Sequence, residues 1–456
     1  MPVSAARRIA VDVLRRVEAE GAYASDILHA ELGAGVEAED AALATELTLG
    51  VLRWRRLLDF LLERQLKNPV ARLDLAVALA LRMGLYQLRF LARVPARAAV
   101  NESVELVKRA KKTSAATLVN AVLRRMTEEA KQPADSLLPA DVSRAERLGI
   151  LHSHPTWLVE RWLARWGEAR TVALLEANNR APRLSCALHD PTRQNEIFAA
   201  LGKNGLRVEP GRLLRSAFAV SAASPARTEA FRKGWISIQD EASQAIPLLL
   251  DVRAGDRVLD LCAAPGGKTP PLVRAAGEKG VVVAADRHAH RLRAMREQFK
   301  RLGLSKVGLV EMDATKPFPF KDEFQRILVD APCSGTGTLA RHPEIRWRLK
   351  TEQLIELHDL QVAMLANAAA QLASGGRLVY STCSMEPEEN EGVVAEVLTR
   401  DSSLRQVAGH EAARALDALL APGIAATDLF DSAGHFRTFP GEQPTDGFFA
   451  AVLAKH

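Results

Sequence analysis

Short apolar runs alternate with helical patterns from about Gln239 to the end of the chain. The runs that are typical of strands are RVLDLC, VVVAAD, VGLVEMD, RILVDAP and RLVYSTC, and the tail HFRTFPGEQPTDGFFAAVLAK indicates a closing pair of strands. Such alternation predicts a parallel sheet with helices on both faces. Sheets of this kind bind ligands at the carboxyl ends of their strands, and the distinctive motifs of this chain fall there.

The first third of the chain has a different pattern, without strand signals. From Ala5 to about Met126 apolar residues recur three and four positions apart, which predicts helices throughout. Pro133 and Pro139 then interrupt the pattern and indicate a linker. After the linker, RLSCALHD and GWISIQD indicate strands around a helical segment, NEIFAALGKNG. We therefore expect an all-α domain at 1–135, a small α+β connecting domain at 145–238 and an α/β domain at 239–456.

The net charge of +6 permits a nucleic-acid partner without requiring one. Two basic clusters, Arg53-Trp54-Arg55-Arg56 and Lys108-Arg109-Ala110-Lys111-Lys112, are expected to face solvent. Phosphate binding and ordinary surface charge both explain such clusters. No apolar run reaches the roughly 18 residues that span a bilayer, and the amino terminus lacks the pattern of a secretion signal. We therefore expect a cytoplasmic protein without a membrane partner.

The glycine turn in DLCAAPGGKT, from Asp260 to Thr269, has the features of a nucleotide-cofactor loop. Glycine lets the backbone approach a ligand closely, and the helix that follows offers free N–H groups. Asp286 ends the next strand about twenty residues later, the spacing at which a carboxylate meets ribose hydroxyls. Asp313 and Asp330 continue the row of acids along the strand ends. Acidic groups suit the sulfonium and ribose of S-adenosylmethionine better than the pyrophosphate of a dinucleotide.

Four cysteines are scattered along the chain, and no two form a C-x-x-C pair: Cys186, Cys262, Cys333 and Cys383. A zinc site or a disulfide framework is therefore not expected. Cys333 in VDAPCSGTG and Cys383 in VYSTCSMEPEEN each follow a predicted strand and precede a serine. Two thiols beside a cofactor pocket suit methyl transfer to carbon 5 of a pyrimidine, because a thiolate can add at carbon 6 and leave again. The residues alone do not decide which thiol attacks.

Taken together, four stretches resemble the RNA cytosine-5 methyltransferases, specifically the bacterial RsmB (Sun/Fmu) branch with a NusB-like domain in front. They are QDEAS at 239–243, DLCAAPGGKT, DAPCSGTG followed by RHPEIRW, and STCSMEPEENE; TLVNAVLRR resembles the last part of the NusB-like domain. The resemblance covers essentially the full length. It implies an all-α NusB-like domain, a small α+β connecting domain and an α/β Rossmann-like class I methyltransferase domain.

The resemblance also implies an activity, namely methylation of carbon 5 of a specific cytosine in 16S ribosomal RNA. The RNA is expected either free or in early assembly intermediates, and no metal is expected. Cys383 corresponds to the nucleophile that attacks carbon 6, and Cys333 corresponds to the residue that assists product release. Asp330 is also placed near the N3 edge of the pyrimidine, where it stabilises the enamine. The implied S-adenosylmethionine contacts are Cys262, Ala263, Ala264, Pro265, Gly266, Gly267, Lys268, Asp286, Asp313 and Asp330.

Two alternatives remain open at this point. A transfer-RNA or DNA cytosine methyltransferase would use the same chemistry, although DNA enzymes rely on a Pro-Cys nucleophile and the added Thr-Cys site favours RNA. A non-catalytic RNA-binding or ribosome-assembly factor could retain the same fold. The pair of thiols and the row of acids argue against this second alternative, because binding alone needs no nucleophile.

Overall fold

The computed structural model describes residues 3–33, 35–221 and 224–456. Met1, Pro2, Ala34, Ala222 and Ala223, which fall in the first two predicted domains, lie outside the described residues. The chain forms two compact units. The first comprises the residues up to Ala181 together with Leu339–Arg348, and the second comprises Pro182–Thr338 and Leu349–His456. Among the described residues, no helix is both long and apolar enough to cross a membrane.

The first unit is helical, as the apolar periodicity predicts, and its described residues contain no strand. Its core is formed by aliphatic side chains such as Leu14, Leu58, Leu81 and Leu123, each at most 1% exposed. The helices are α1 (Ala5–Glu20), α2 (Ala24–Glu31), α3 (Ala38–Glu63), α4 (Leu75–Phe90), α5 (Ala96–Arg109), α6 (Ala116–Glu129), α7 (Arg144–Leu151) and α8 (Thr156–Asn179).

The prediction that the arginine cluster on α3 faces solvent is wrong for Arg53, which is buried, whereas Arg55 and Arg56 are half-buried. Arg53 is only 5% exposed and donates from Nη2 to the carbonyl of Ala340 at 2.9 Å. Arg56 donates from Nη1 to the carbonyl of His154 at 2.6 Å, and Arg55 pairs with Glu18 at 3.0 Å. These guanidinium groups satisfy carbonyls and a carboxylate inside the unit, which is their physical role here.

The second basic cluster is exposed, in agreement with the prediction. Two of its ammonium groups nevertheless have carboxylate partners, because Lys108 pairs with Glu105 and Lys112 pairs with Asp74, each at 2.8 Å. Exposed pairs of this kind are weak and remain open to competition by other anions.

The segment Leu339–Arg348 lies in the first unit although its neighbours Thr338 and Leu349 belong to the second. It contains the RHPEIRW motif and the short helix α14 (Ile345–Arg348). Arg346 is 1% exposed and donates to the carbonyls of Ser153 at 3.0 Å and Asn178 at 3.1 Å. Trp347 donates from Nε1 to the carbonyl of Leu52 at 2.7 Å. The segment is therefore tied into the helices by side chains that reach backbone carbonyls.

The second unit begins with a four-stranded antiparallel sheet in the order β2-β3-β1-β4. Its elements are β1 (Leu184–Leu188), α9 (Gln194–Lys203), β2 (Arg207–Pro210), β3 (Ala217–Ser221), α10 (Glu229–Arg232) and β4 (Ile236–Ile238). The sequence indicated β1, α9 and β4, whereas β2 and β3 were missed. Cys186 lies in the core of this sheet with Ile197 and Phe218, and burial raises its pKa to about 12. Cys186 is therefore a packing residue.

The remainder of the second unit forms a larger sheet in the order β10-β12-β9-β8-β5-β6-β7, and β11 pairs with β12. Its strands are β5 (Arg257–Leu261), β6 (Val281–Asp286), β7 (Val307–Glu311), β8 (Phe324–Asp330), β9 (Leu372–Thr382), β10 (Leu404–Gln406), β11 (Phe436–Thr438) and β12 (Phe448–Lys455). Its helices are α11 (Glu241–Ala245), α12 (Thr269–Ala276), α13 (Ala289–Arg301), α15 (Thr351–Ala370), α16 (Glu391–Arg400) and α17 (Gly409–Ala413). The five strands β5 to β9 are parallel to one another, and the closing pair β11–β12 forms as predicted.

Alternate residues of the central strands enter two cores, one on each face of the sheet. Val258 and Leu328 pack in the core that contains Leu272 of α12, whereas Leu259 and Val329 pack with helix α15 on the other face. The chain runs outward from β5 through β6 to β7 and then returns to the other side of β5 to form β8. The strand order therefore reverses between β5 and β8, and a crevice at their carboxyl ends is the expected binding site.

Candidate active site

The turn after β5 is shaped by two residues with a left-handed backbone. Cys262 has a φ of +57° and Gly266 has a φ of +94°. A Cβ on Gly266 would lie 2.9 Å from the ring of Phe299, so this position excludes any side chain. The turn is pinned to the next strand because the N–H of Ala263 donates to the carbonyl of Ala285 at 2.9 Å. Gly266 is itself buried and its N–H donates to the carbonyl of Ala263 at 2.7 Å, whereas its neighbours Pro265 and Gly267 are exposed and half-buried.

Three of the residues that the sequence proposes as cofactor contacts surround one recess: Cys262, Asp286 and Asp313. Asp286 is 5% exposed, and its Oδ1 accepts from the N–H of His288 at 2.9 Å. Asp313 accepts from the hydroxyl and the N–H of Thr315, and the hydroxyl hydrogen bond lowers its pKa. Both acids therefore order the loops after β6 and β7, and both keep carboxylate oxygens beside the recess.

Asp260 lies inside β5 just before the turn and is fully buried. Its Oδ2 accepts from the hydroxyl of Thr269 at 2.7 Å, whereas its Oδ1 has no hydrogen-bond partner among the described residues. Burial raises the pKa of Asp260 to about 7, although the hydrogen bond from Thr269 opposes this shift. An unpartnered buried acceptor beside a row of carboxylates fits a cationic ligand with ribose hydroxyls.

This raised pKa predicts that the folded chain loses stability as pH increases. The folded state favours protonated Asp260, so the stabilisation is fully present below the unfolded pKa of about 3.9 and is lost as pH rises through about 7. We expect Asp260→Asn to flatten the decline in Tm between about pH 4 and pH 7. Differential scanning fluorimetry measures this, and Asp313→Asn should leave the decline intact. An Asp260→Asn profile parallel to that of the parent would contradict the assignment.

The two cysteines of the candidate site meet because β8 and β9 are neighbouring parallel strands. Cys333 follows β8 and Cys383 follows β9, and their Sγ atoms lie 3.4 Å apart, with both side chains half-buried. The hydrogen bond to Cys383 and burial raise the pKa of Cys333 well above its ordinary value. Either sulfur can donate in this contact, and the raised pKa of Cys333 favours the protonated form of that thiol.

An ion pair lies at the same edge of the sheet. Lys268 donates from Nζ to Oδ2 of Asp330 at 2.6 Å, and Ser381 donates from Oγ to Oδ1 of Asp330 at 2.9 Å. Burial opposes the charged form of Lys268, but the charge and hydrogen bond of Asp330 outweigh it and raise the pKa of Lys268. The charge of Cys383 contributes in the same direction. Lys268 is thus a cation whose charge acts on both Asp330 and Cys383.

Three families match successive parts of the chain. The family described as 16S rRNA methyltransferase RsmB/F matches residues 247–454, the NusB family matches residues 4–128, and the RsmF/B-like ferredoxin-like domain matches residues 154–227. The probable ribosomal RNA small subunit methyltransferase B of Synechocystis sp. is 33% identical over 99% of both chains. The protein of the same name from Bacillus subtilis is 31% identical over 100% of both chains. This chain belongs to the RsmB/F methyltransferase family.

Two solved structures are similar in fold to this chain. The methyltransferase homolog protein from Pyrococcus horikoshii is 28% identical, with a TM-score of 0.56 over 69% of this chain and 100% of its own. The structure of PH0851 is 24% identical, and its TM-score of 0.80 over 99% of this chain and 98% of its own shows a shared fold. The predicted fold class is confirmed, with a NusB helical domain, a ferredoxin-like connecting domain and a methyltransferase domain.

In this RsmB/F chain the proposed site residues separate into two groups. Asp286 and Asp313 surround the recess at β6 and β7, whereas Asp330 and Lys268 lie with the cysteines at β8 and β9. Sequence reasoning missed the unpartnered oxygen of Asp260, and it placed Lys268 only in the cofactor turn. The lysine directly after two glycines was the available signal. The described residues contain no cluster of three or more side chains suited to a metal ion.

Proposed function

We propose that the chain transfers a methyl group from S-adenosylmethionine to carbon 5 of a specific cytosine in 16S ribosomal RNA. The observation that carries the proposal is the pair of sulfurs 3.4 Å apart beside the Lys268–Asp330 ion pair. An RNA-binding or assembly factor has no use for two adjacent thiols beside a buried ammonium group. The relatives named ribosomal RNA small subunit methyltransferase B support the choice of RNA.

Cys383 is the proposed nucleophile. Carbon 5 of cytosine is a weak nucleophile until a thiolate adds at carbon 6, because the addition turns the ring into an enamine. The target base must be unstacked for this, since a stacked ring hides carbon 6. We assign Lys268 and Asp330 to the N3 edge of the ring, where a proton held by Lys268 neutralises the charge that builds as sulfur 383 adds.

Cys333 assists the release of the product. The bound cofactor supplies an electrophilic methyl group that carbon 5 of the enamine accepts. The proton on carbon 5 then passes to a base, the carbon 5–carbon 6 double bond forms again, and the bond from carbon 6 to the Cys383 sulfur breaks. Cys333 keeps its proton because its pKa is raised, and its sulfur is close enough to protonate the departing sulfur.

The cofactor is proposed to bind along the glycine turn and the acids of β6 and β7. The turn from Cys262 to Lys268 would supply backbone N–H groups, and Asp286 would bind the ribose hydroxyls. Asp313 is assigned to the same recess and Asp330 to its boundary with the cysteines. The sulfur of Cys262 lies 3.9 Å from the sulfur of Met364, so its side chain packs and only its backbone shapes the turn.

The NusB and connecting domains are proposed to position the RNA through phosphate contacts. The exposed cluster at 108–112 is the better candidate for such contacts, since the arginines of α3 are engaged inside the first unit. We propose free 16S RNA or an early assembly intermediate in the cytoplasm as the substrate. We keep the three predicted domains as our proposal: the domains at 1–135 and 145–238 position the RNA, and the domain at 239–456 transfers the methyl group.

The test is methyl transfer to RNA from a strain that lacks the gene. Purified chain with tritium-labelled S-adenosylmethionine is expected to label the 16S RNA of the deletion strain but not that of its parent, and nucleoside analysis should find 5-methylcytosine at one position. Transfer RNA from the same strain serves as the matched competitor. Labelling of transfer RNA instead would move the activity to that substrate. No labelling of either RNA, with cofactor bound, would favour an assembly factor.

A further inference from the structure

One buried carboxylate holds both cysteine loops. Glu389 is 0% exposed and lies in the turn between Cys383 and α16. Its Oε2 accepts from the hydroxyl of Ser384 at 2.5 Å and also from the hydroxyl of Ser334. Its Oε1 accepts from the N–H of Ser334 at 2.7 Å and from Nε2 of Gln361 at 3.0 Å. We call Glu389, Ser334 and Ser384 the serine–carboxylate clamp.

The two serines of the clamp directly follow the two cysteines. Ser334 is the residue after Cys333, and Ser384 is the residue after Cys383. Their hydroxyl groups also lie within hydrogen-bond distance of each other, at 3.0 Å. Any movement of one loop relative to the other must therefore stretch hydrogen bonds to one shared carboxyl group.

Backbone contacts between the same two loops leave little room for another arrangement. The N–H of Gly337 donates to the carbonyl of Cys383 at 2.8 Å, and the N–H of Met385 donates to Oγ1 of Thr336 at 2.8 Å. A Cβ on Gly337 would lie 2.2 Å from the carbonyl oxygen of Gly447. The loops are thus closely packed. The clamp adds a side-chain connection between them at Ser334 and Ser384, the residues that directly follow the two cysteines.

We propose that Glu389 is a positioning residue that sets the distance between the sulfurs of Cys333 and Cys383. Glu389 does not touch the substrate; it acts through Ser334 and Ser384. A nucleophile and a proton donor that act in turn on one ring must keep a fixed separation, because small displacements of reacting groups lower rates strongly. The effect on catalysis rests on the proposed function, whereas the effect on sulfur spacing does not.

Kinetic analysis of clamp variants forms the first part of the test. Glu389→Gln keeps the size of the side chain but replaces one acceptor oxygen with an amide group that donates, and Ser384→Ala removes one of the hydroxyl groups that donate to Glu389. We expect kcat for RNA methylation to fall by about 10²-fold in Glu389→Gln, with the KM for S-adenosylmethionine nearly unchanged. Glu396→Gln is the matched control, because the carboxylate of Glu396 contacts His358 and Arg400 instead.

The second part measures the sulfur spacing without any RNA. Diamide, an azo oxidant, removes one hydrogen from each of two neighbouring thiols and is itself reduced to the hydrazine as a disulfide bond forms. Peptide mapping by mass spectrometry gives the rate at which a Cys333–Cys383 disulfide appears. We expect this rate to be several-fold slower in Glu389→Gln and Ser384→Ala than in the parent and in Glu396→Gln.

The outcomes separate the clamp from the proposed function. An unchanged disulfide rate in both clamp variants would overturn the positioning role, even if kcat fell. A slower disulfide rate in a chain whose parent methylates no RNA would support the clamp and reject the proposed function. If Glu389→Gln fails to fold, Ser384→Ala and Ser334→Ala carry the same comparison, since each removes one hydroxyl from the clamp.

Discussion

Cys383→Ala is expected to abolish RNA methylation, with a loss of about 10⁴-fold or more, the scale seen when an enzyme loses its nucleophile. Without sulfur 383 nothing adds at carbon 6, so carbon 5 stays too weakly nucleophilic to accept a methyl group. The measurement is tritium transfer to 16S RNA under single-turnover conditions. Binding of S-adenosylmethionine, followed by calorimetry, should be nearly unchanged because the recess that we propose for the cofactor lies at β6 and β7.

Cys186→Ala is the matched control for this variant, because it makes the same substitution in the packed core of the connecting domain. It is expected to lower Tm slightly and to keep the methylation rate. A Cys383→Ala chain that methylates RNA at the parental rate would remove the nucleophile assignment. If Cys333→Ala were then inactive, the roles of the two thiols would have to be exchanged.

Cys333→Ala is expected to trap a covalent complex between the chain and its RNA. The variant keeps sulfur 383 and can form the adduct, but it lacks the thiol whose retained proton helps that sulfur to depart. The complex should appear as a slowly migrating band on a denaturing gel that carries both protein and labelled RNA. Turnover should fall to a single methyl group per chain.

The adduct requires sulfur 383, so the double variant Cys333→Ala, Cys383→Ala should give no band. Protease treatment of the single variant should release RNA with a short attached peptide that contains residue 383. A band that persists in the double variant would mean that another group attacks the RNA. Full turnover by Cys333→Ala without any band would show that release does not depend on Cys333.

The sequence was sufficient to predict the sheet and to bring the candidate site residues to one edge of it. Parallel strands that are buried on both faces are continuous apolar runs, and their carboxyl ends share one edge, so Asp330 and Cys383 could be placed together without coordinates. Their spacing was not predictable. The 3.4 Å between the sulfurs depends on how two loops pack, and that packing is set by Glu389 and Gly337.

Glu389 illustrates why the serine–carboxylate clamp could not be predicted from the sequence. EPEENE contains four glutamates, and nothing local distinguishes the one that turns inward to meet Ser334, which lies 55 positions earlier. The burial of Arg53 on α3 could not be predicted from the sequence for a related reason. Whether Arg53 faces solvent depends on a segment 287 positions away, and no periodicity within α3 carries that information. The strand β2 was missed because it is only four residues long, three of them are exposed, and one of those is a proline.

The buried guanidinium of Arg346 also constrains the order of biosynthesis. It meets the carbonyl of Ser153 across 193 positions of chain, and that of Asn178 across 168. A ribosome makes the helices first, yet the donor to those carbonyls is translated only after strands β5 to β8, four of the eight strands of the larger sheet. The helical first unit therefore completes its fold late, because it must wait for the segment Leu339–Arg348, which is translated within the sequence of the second unit.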